Sequence, residues 1–157
     1  MKIIDLFAGV GGLSLGFEME GFESVIAIDF WDDAINTYNH NRKKKVGITT
    51  DVTQFNNEIL AEILQDHKID GVIGGPPCQG FSSARFSNKT EKIVEINKSR
   101  NHLYLEFFRT VEIVKPKFFL IENVRGLVSA NKGAFVKDIT ERFGGIGYNV
   151  SYKILNA

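Results

Sequence analysis

Short apolar runs alternate along the chain with longer stretches whose apolar residues recur every three or four positions. Residues 2–7, 24–28, 71–73 and Phe118–Ile121 read as strands, the last a buried one. Residues 46–48 form a weaker strand and 148–155 an alternating one. Between them, residues 12–20 set Leu13 and Phe17 on one helical face, and 32–41 do the same with Ala34, Ile35 and Tyr38. Residues 58–65 turn Ile59, Ile63 and Leu64 inward. Leu103–Val114 carries the clearest helical pattern and Pro116 stops it, while 134–143 is closed by Gly144 and Gly145. Strands alternating with helices in this way predict an α/β fold with a doubly wound, mostly parallel sheet. The stretch from Gly74 to Arg100 is the one long irregular segment, which makes it either a functional loop or a flexible one.

Composition narrows the classes. A length of 157 residues suits one domain with a real core, and 43% hydrophobic against 24% charged residues excludes a disordered or fibrous chain. The 19 basic and 19 acidic side chains cancel, which excludes a uniformly basic nucleic-acid binder but leaves room for a local basic surface. No apolar run is long enough to cross a bilayer and no cleavable leader follows Met1, so the expectation is a cytoplasmic protein without membrane contact. The single cysteine, Cys78, excludes an internal disulfide and a multi-cysteine metal site, and no metal is expected.

The first chemical signal is Asp5-Leu6-Phe7-Ala8-Gly9-Val10-Gly11-Gly12, with glycines between a strand and the mouth of the next helix. Glycines there let a ligand approach the backbone. Asp29 ends the second strand, 20 residues after Gly9, where a carboxylate can accept hydrogen bonds from both hydroxyls of a ribose. Ser14 stands where a dinucleotide fingerprint needs Gly or Ala, so that fingerprint fails and an adenosine ligand without a pyrophosphate fits better. The competing reading is a tight turn that only packs helix on strand. Asp51-Val52 follows the third strand on the same edge. Asp51 can take the exocyclic amine of adenine, with Val52 and Phe30 against the ring, or can simply cap a turn.

The second signal is Gly74-Gly75-Pro76-Pro77-Cys78-Gln79-Gly80-Phe81-Ser82. Free cysteines are usually buried small hydrophobes, but a loop stiffened by two prolines is no packing environment. At the carboxyl edge of a parallel sheet, Cys78 reads as a nucleophile able to add to an electron-poor ring carbon. The third signal is Glu122-Asn123-Val124 at the end of the Phe118–Ile121 strand. A carboxyl beside an apolar strand can serve as a proton donor; Glu122 could equally pair with Lys117.

In this order, DLFAGVGG, Asp29, Asp51, GGPPCQGFS and ENV resemble the cytosine-C5 DNA methyltransferases, and Ser99-Arg100-Asn101-His102-Leu103 looks like that family's Ser-Arg segment. PPCQGFS followed about forty residues later by ENV is the most specific part of the match, which runs over essentially the whole chain. The resemblance implies a Rossmann-like methyltransferase fold, with residues 1–157 as the catalytic, S-adenosylmethionine-binding domain. It implies Cys78 as the nucleophile on cytosine C6 and Glu122 as the group that protonates or hydrogen-bonds N3. Phe7, Ala8, Gly9, Gly11 and Gly12 would surround the cofactor together with Asp29, Phe30, Asp51 and Val52, and with Pro77 and Leu103. Gln79, Ser82, Arg85, Arg100, Asn123 and Val124 would face a cytosine flipped out of duplex DNA. From Phe81 to Arg100, five basic residues outnumber Glu91 and Glu95, an excess that suits phosphate contact as readily as it suits a solvated loop.

In the family, a Gln-x-Arg-x-Arg segment, a target-recognition domain and a closing segment follow the part matched here. The resemblance therefore implies a sheet lacking an antiparallel strand between the Phe118 and Tyr148 strands; the chain reads either as a fragment of an enzyme or as one chain of a split methyltransferase, whose complementary polypeptide would supply the missing strand. A restriction-modification setting follows from the same likeness. Two other readings stand beside this one: a tRNA cytosine-C5 methyltransferase, and a catalytically silent cofactor-binding or regulatory module.

Overall fold

Ile3, Ile4 and Leu6 are fully buried in β1 (Lys2–Leu6), so this strand is covered on both faces and forms the centre of the sheet. The computed structural model describes residues 1–77, 103–129 and 133–155. β2 (Glu23–Asp29) pairs with β1 in parallel, with a register shift between Ile3 and Ile4, and β3 (Gly47–Thr49) pairs with β2. On the other side β4 (Gly71–Gly74), buried throughout, pairs with β1, and β5 (Phe118–Ile121) pairs with β4. The order is β3-β2-β1-β4-β5, all parallel. This is the doubly wound α/β sheet that the alternation predicts. Successive connections run outward from β1 in both directions, and in a sheet of this topology the ligand crevice belongs where the order reverses, at the carboxyl ends of β1 and β4.

The helices are α1 (Gly12–Met19), α2 (Asp32–His40), α3 (Asn57–Asp66), α4 (Leu103–Val114), a short α5 (Gly126–Ser129) and α6 (Ala134–Gly145). None among the described residues is long and apolar enough to cross a membrane. Asn56 caps α3 through a 3.1 Å bond from the Ile59 amide. Ala34, Ile35 and Tyr38 form the buried face of α2, as their spacing predicts. In α3 the expected face is shifted. Leu60 is the buried residue, Ile59 is 38% exposed, and Ile63 and Leu64 are only half-buried.

Three other expectations are corrected. Residues 148–155 form no strand; an alternating pattern supplies no hydrogen bonds of its own, and Tyr152 and Leu155 are exposed. β5 is an edge strand among the described residues, so its side chains are half-buried or, at Leu120, exposed. Gly144 and Gly145 are the last turn of α6 rather than its stop.

The chain divides into two compact units, Met1–Pro76 with Arg109–Glu122, and Pro77–Phe108 with Asn123–Ala157. The first holds the sheet. There the Phe118 ring packs against those of Phe17 and Phe22, and a side chain at Gly71 would collide with it at 2.3 Å. The second unit is held by edge-to-face contacts of Tyr104 with Phe135 and of Phe108 with Phe143. Beside them the Tyr104 hydroxyl donates to Asp138, which also pairs with Arg142.

Candidate functional site

Five parallel strands deliver their carboxyl ends to one edge of the sheet, and the residues that follow them compose the site. After β1, Phe7 takes a left-handed φ of 59°, uncommon for an aromatic residue, and Gly9 and Gly11 follow at 54° and 86°. The turn is fastened by the Ala8 amide on the Ile28 carbonyl and the Gly11 amide on the Ala8 carbonyl, both at 2.9 Å. Glycine is compulsory at Gly11, where a Cβ would lie 2.4 Å from the Tyr38 ring in a backbone that already favours glycine. At Gly9 and Gly12 space is not the constraint. A Cβ would meet nothing within 4 Å, so the loop presents open backbone on that side. No side chain caps the first turn of α1.

Asp29, at the end of β2, ties this loop to the sheet. Its Oδ2 accepts the Gly9 amide at 2.8 Å and its Oδ1 the Trp31 amide at 2.9 Å. Each carboxylate oxygen keeps a second lone pair, so the group can still receive a diol. Phe30 beside it is 77% exposed and offers an open ring face. After β3, Asp51 is an N-cap: its Oδ1 accepts the Thr53 amide at 2.8 Å and the Thr53 hydroxyl at 2.7 Å, with Oδ2 outside those bonds. Val52 opens the short 3₁₀ turn Val52–Gln54 and is buried. Open backbone, a carboxylate with spare acceptors and an exposed aromatic face form a donor and acceptor set that suits an adenosine-bearing cofactor.

Across the crevice, β4 ends in Gly74-Gly75-Pro76 and β5 in Glu122. The Glu122 amide donates to the Gly74 carbonyl at 2.9 Å, and a Cβ on Gly75 would come within 3.2 Å of Glu122 Oε2. Glycine at position 75 thus leaves room for the Glu122 carboxylate. Lys117 does not pair with Glu122; at the far end of β5 its ammonium meets Asp70 at 2.7 Å. Phe7, Ala8, Gly9, Gly11, Gly12, Asp29, Phe30, Asp51, Val52 and Glu122 all belong to the first unit. Pro77, Leu103, Asn123 and Val124 belong to the second. There Leu103 opens α4 half-buried, the Asn123 side chain accepts the Val124 amide at 2.9 Å, and Val124 is 63% exposed. Cys78, Gln79, Ser82, Arg85 and Arg100 lie outside the described residues.

Two side chains that the sequence reading passed over belong to this site. Asp5 is 1% exposed in β1 and neither of its carboxylate oxygens has a hydrogen-bond partner. Burial pushes its pKa up to about 7, against smaller downward pulls from the nearby Ser14 hydroxyl and from Arg42. Arg42 is buried under the glycine loop, bonded to Gly11 and paired with Glu18. A signal for it existed, since Ile35, Tyr38 and Arg42 continue one helical face at spacings of three and four.

A family model described as C-5 cytosine-specific DNA methylase matches residues 1–157. The chain is 41% identical over 157 residues to Type II methyltransferase M1.HphI of Haemophilus parahaemolyticus, covering 100% of this chain and 41% of that one. It is 44% identical over 157 residues to Type II methyltransferase M.FnuDI of Fusobacterium nucleatum, again over 100% of this chain and 42% of the relative. A solved structure described as a candidate DNA modification methyltransferase encoded within a prophage (E. coli) superposes with a TM-score of 0.74 at 38% identity, over 92% of this chain and 38% of that one. The chain thus spans about two fifths of the length of these relatives.

Proposed function

The chain belongs to the C-5 cytosine-specific DNA methylase family, and from that premise we propose that it is the catalytic, cofactor-binding part of an enzyme that methylates cytosine C5 in DNA. The observation that carries the reading is that two loops leave the carboxyl ends of the paired strands β1 and β4 side by side. One is the glycine loop fastened to Asp29, and the other is the Gly75 turn that makes room for Glu122.

S-adenosylmethionine, bound by the β1, β2 and β3 ends, would supply the methyl group that cytosine C5 accepts. Asp29 would receive the ribose hydroxyls, Phe30 would stack on the adenine, and Asp51 would take its exocyclic amine. Phe7 to Gly12 would line the remainder with backbone. Cytosine C5 is a poor nucleophile until the ring is activated. Cys78, as thiolate, would add to C6 while Glu122 donates a proton to N3, so that the new enamine places electron density on C5. Loss of the C5 proton and expulsion of Cys78 would then restore the aromatic ring. Both ring faces must be free for this, so the base has to leave the stack, with Gln79, Ser82, Arg85, Arg100, Asn123 and Val124 as its surroundings. Sequence-specific recognition would reside in polypeptide additional to these 157 residues, with β5 the outermost strand of the sheet among the described residues.

Two measurements test this. Labelled methyl transfer from S-adenosylmethionine to duplex DNA by the whole protein should yield 5-methylcytosine; label found on another atom, or none on DNA, would end the proposal. Asp29→Ala should weaken cofactor binding by about 1.5–3 kcal/mol, typical of hydrogen bonds to a charged acceptor. Unchanged affinity by calorimetry would remove Asp29 from the ribose site.

A further inference from the structure

Arg42 follows α2, yet its side chain reaches into α1 rather than into solvent. Only 8% of that side chain is exposed, whereas the next two residues in the same basic run are surface lysines, Lys44 among them 72% exposed and paired with Glu23. One terminal nitrogen, Nη2, donates to the Gly11 carbonyl at 2.7 Å and to Ser14 Oγ at 3.2 Å. Nη1 donates to the Tyr38 carbonyl at 3.3 Å, Nε pairs with Glu18 at 3.0 Å, and the guanidinium lies 3.6 Å from the centre of the Tyr38 ring. A buried cation is costly to desolvate and persists only where each donor is matched. Here Glu18 balances the charge and Tyr38 supports the plane, which leaves Nη2 directed at the glycine loop.

The Gly11 carbonyl is the hub. It also accepts the Leu15 amide at 3.0 Å and the Ser14 hydroxyl at 3.3 Å, so Arg42 bonds the atom from which the first turn of α1 hangs. Two features of the loop need such a fastening. Phe7 and Gly9 hold left-handed backbone, and Gly9 is tied to β2 through Asp29 alone among side chains. Asp29 secures the strand side of the loop and Arg42 the helix side.

We propose that Arg42 is a positioning residue for the cofactor: it fixes the Gly9–Gly12 backbone from below so that the open face of the loop is ready before the cofactor arrives. The proposal rests on the cofactor reading given above. A lysine could keep the ion pair with Glu18 and the contact with Tyr38, but one ammonium cannot also span to Gly11, because only a guanidinium spreads its donors along the edges of one rigid plane.

The test compares the whole protein with its Arg42→Lys and Glu18→Gln variants, using S-adenosylhomocysteine as the probe in calorimetry. Arg42→Lys should weaken binding about tenfold, the loss of one charge-assisted hydrogen bond. Without ligand, its Gly11 and Leu15 amides should exchange with solvent faster, at a nearly unchanged Tm. Glu18→Gln removes the ion pair but spares the Gly11 bond, so it should lower Tm more than affinity. Affinity falling in step with Tm in both variants would reduce Arg42 to a structural role and overturn the proposal, as would loop exchange identical in wild type and Arg42→Lys. If the wild type failed to bind the probe, the cofactor reading would fall by itself, and loop exchange would still decide whether Arg42 holds the loop.

Discussion

Replacing Cys78 by alanine should lower methyl transfer by at least about 10⁴-fold, the scale seen when a covalent nucleophile is removed and the rest of a site is left intact. The size of the effect follows from the substrate. An aromatic cytosine has no route to a nucleophilic C5 except through addition at C6, and no other side chain of this chain offers a thiolate, since Cys78 is its one cysteine. β4 is buried at every residue and ends at Gly74, four positions before Cys78 in the sequence. The proposed covalent step has a direct test. A duplex carrying 5-fluorocytosine at the target cannot lose its C5 substituent as a proton, so the wild-type protein should remain attached through denaturation. Cys78→Ser should form no such complex; a stable adduct in that variant would show that another group attacks C6.

The Glu122→Gln variant should bind cofactor normally and methylate about 10²–10⁴-fold more slowly, the usual contribution of a positioned acid or base. The substitution preserves size, and the main chain of Glu122 is pinned independently by its amide on the Gly74 carbonyl. Glutamine can still donate a hydrogen bond to N3 but cannot transfer a proton, so the deficit isolates proton donation from contact. Single-turnover methylation with saturating cofactor separates the two. A rate within a few-fold of wild type would remove Glu122 from the acid role, while a parallel loss of cofactor affinity would mean that the carboxylate holds the Gly75 turn in shape.

The parallel sheet could be read from the sequence because its central strands are buried on both faces and therefore appear as continuous apolar runs, as in β1 and β4. Residues 148–155 show the limit of that rule. Their alternation satisfies a strand pattern, but a strand exists only with a partner, and the pattern says nothing about which neighbour is present. In α3 the apolar spacing leaves the inward face ambiguous between Ile59 and Leu60, one position apart, and burial falls on Leu60. Within the site, Asp29 was visible as an acid at a strand end. Its bond to Gly9 was not, since it joins residues 20 apart in sequence. Arg42 was hidden by company: in Arg42-Lys43-Lys44-Lys45 a buried guanidinium looks like one more solvated charge.

Asp5 gives the molecule an unusual relation to acidity. An ordinary Asp titrates near 3.8, whereas this one titrates at about 7 once folding has enclosed it. A carboxyl raised in this way favours the folded state while it holds its proton, so its contribution is complete below pH of about 4 and drains away as the pH climbs through about 7. Asp70 behaves in the reverse sense. The side-chain bond from Lys117 lowers its pKa, and what it contributes is lost when acid protonates it. The two aspartates tilt the stability curve from opposite ends, and their shared optimum lies on the acidic side of neutrality. The strand that leads into the glycine loop thus carries a carboxyl whose enclosure favours its protonated form, and nearby positive charge opposes that preference.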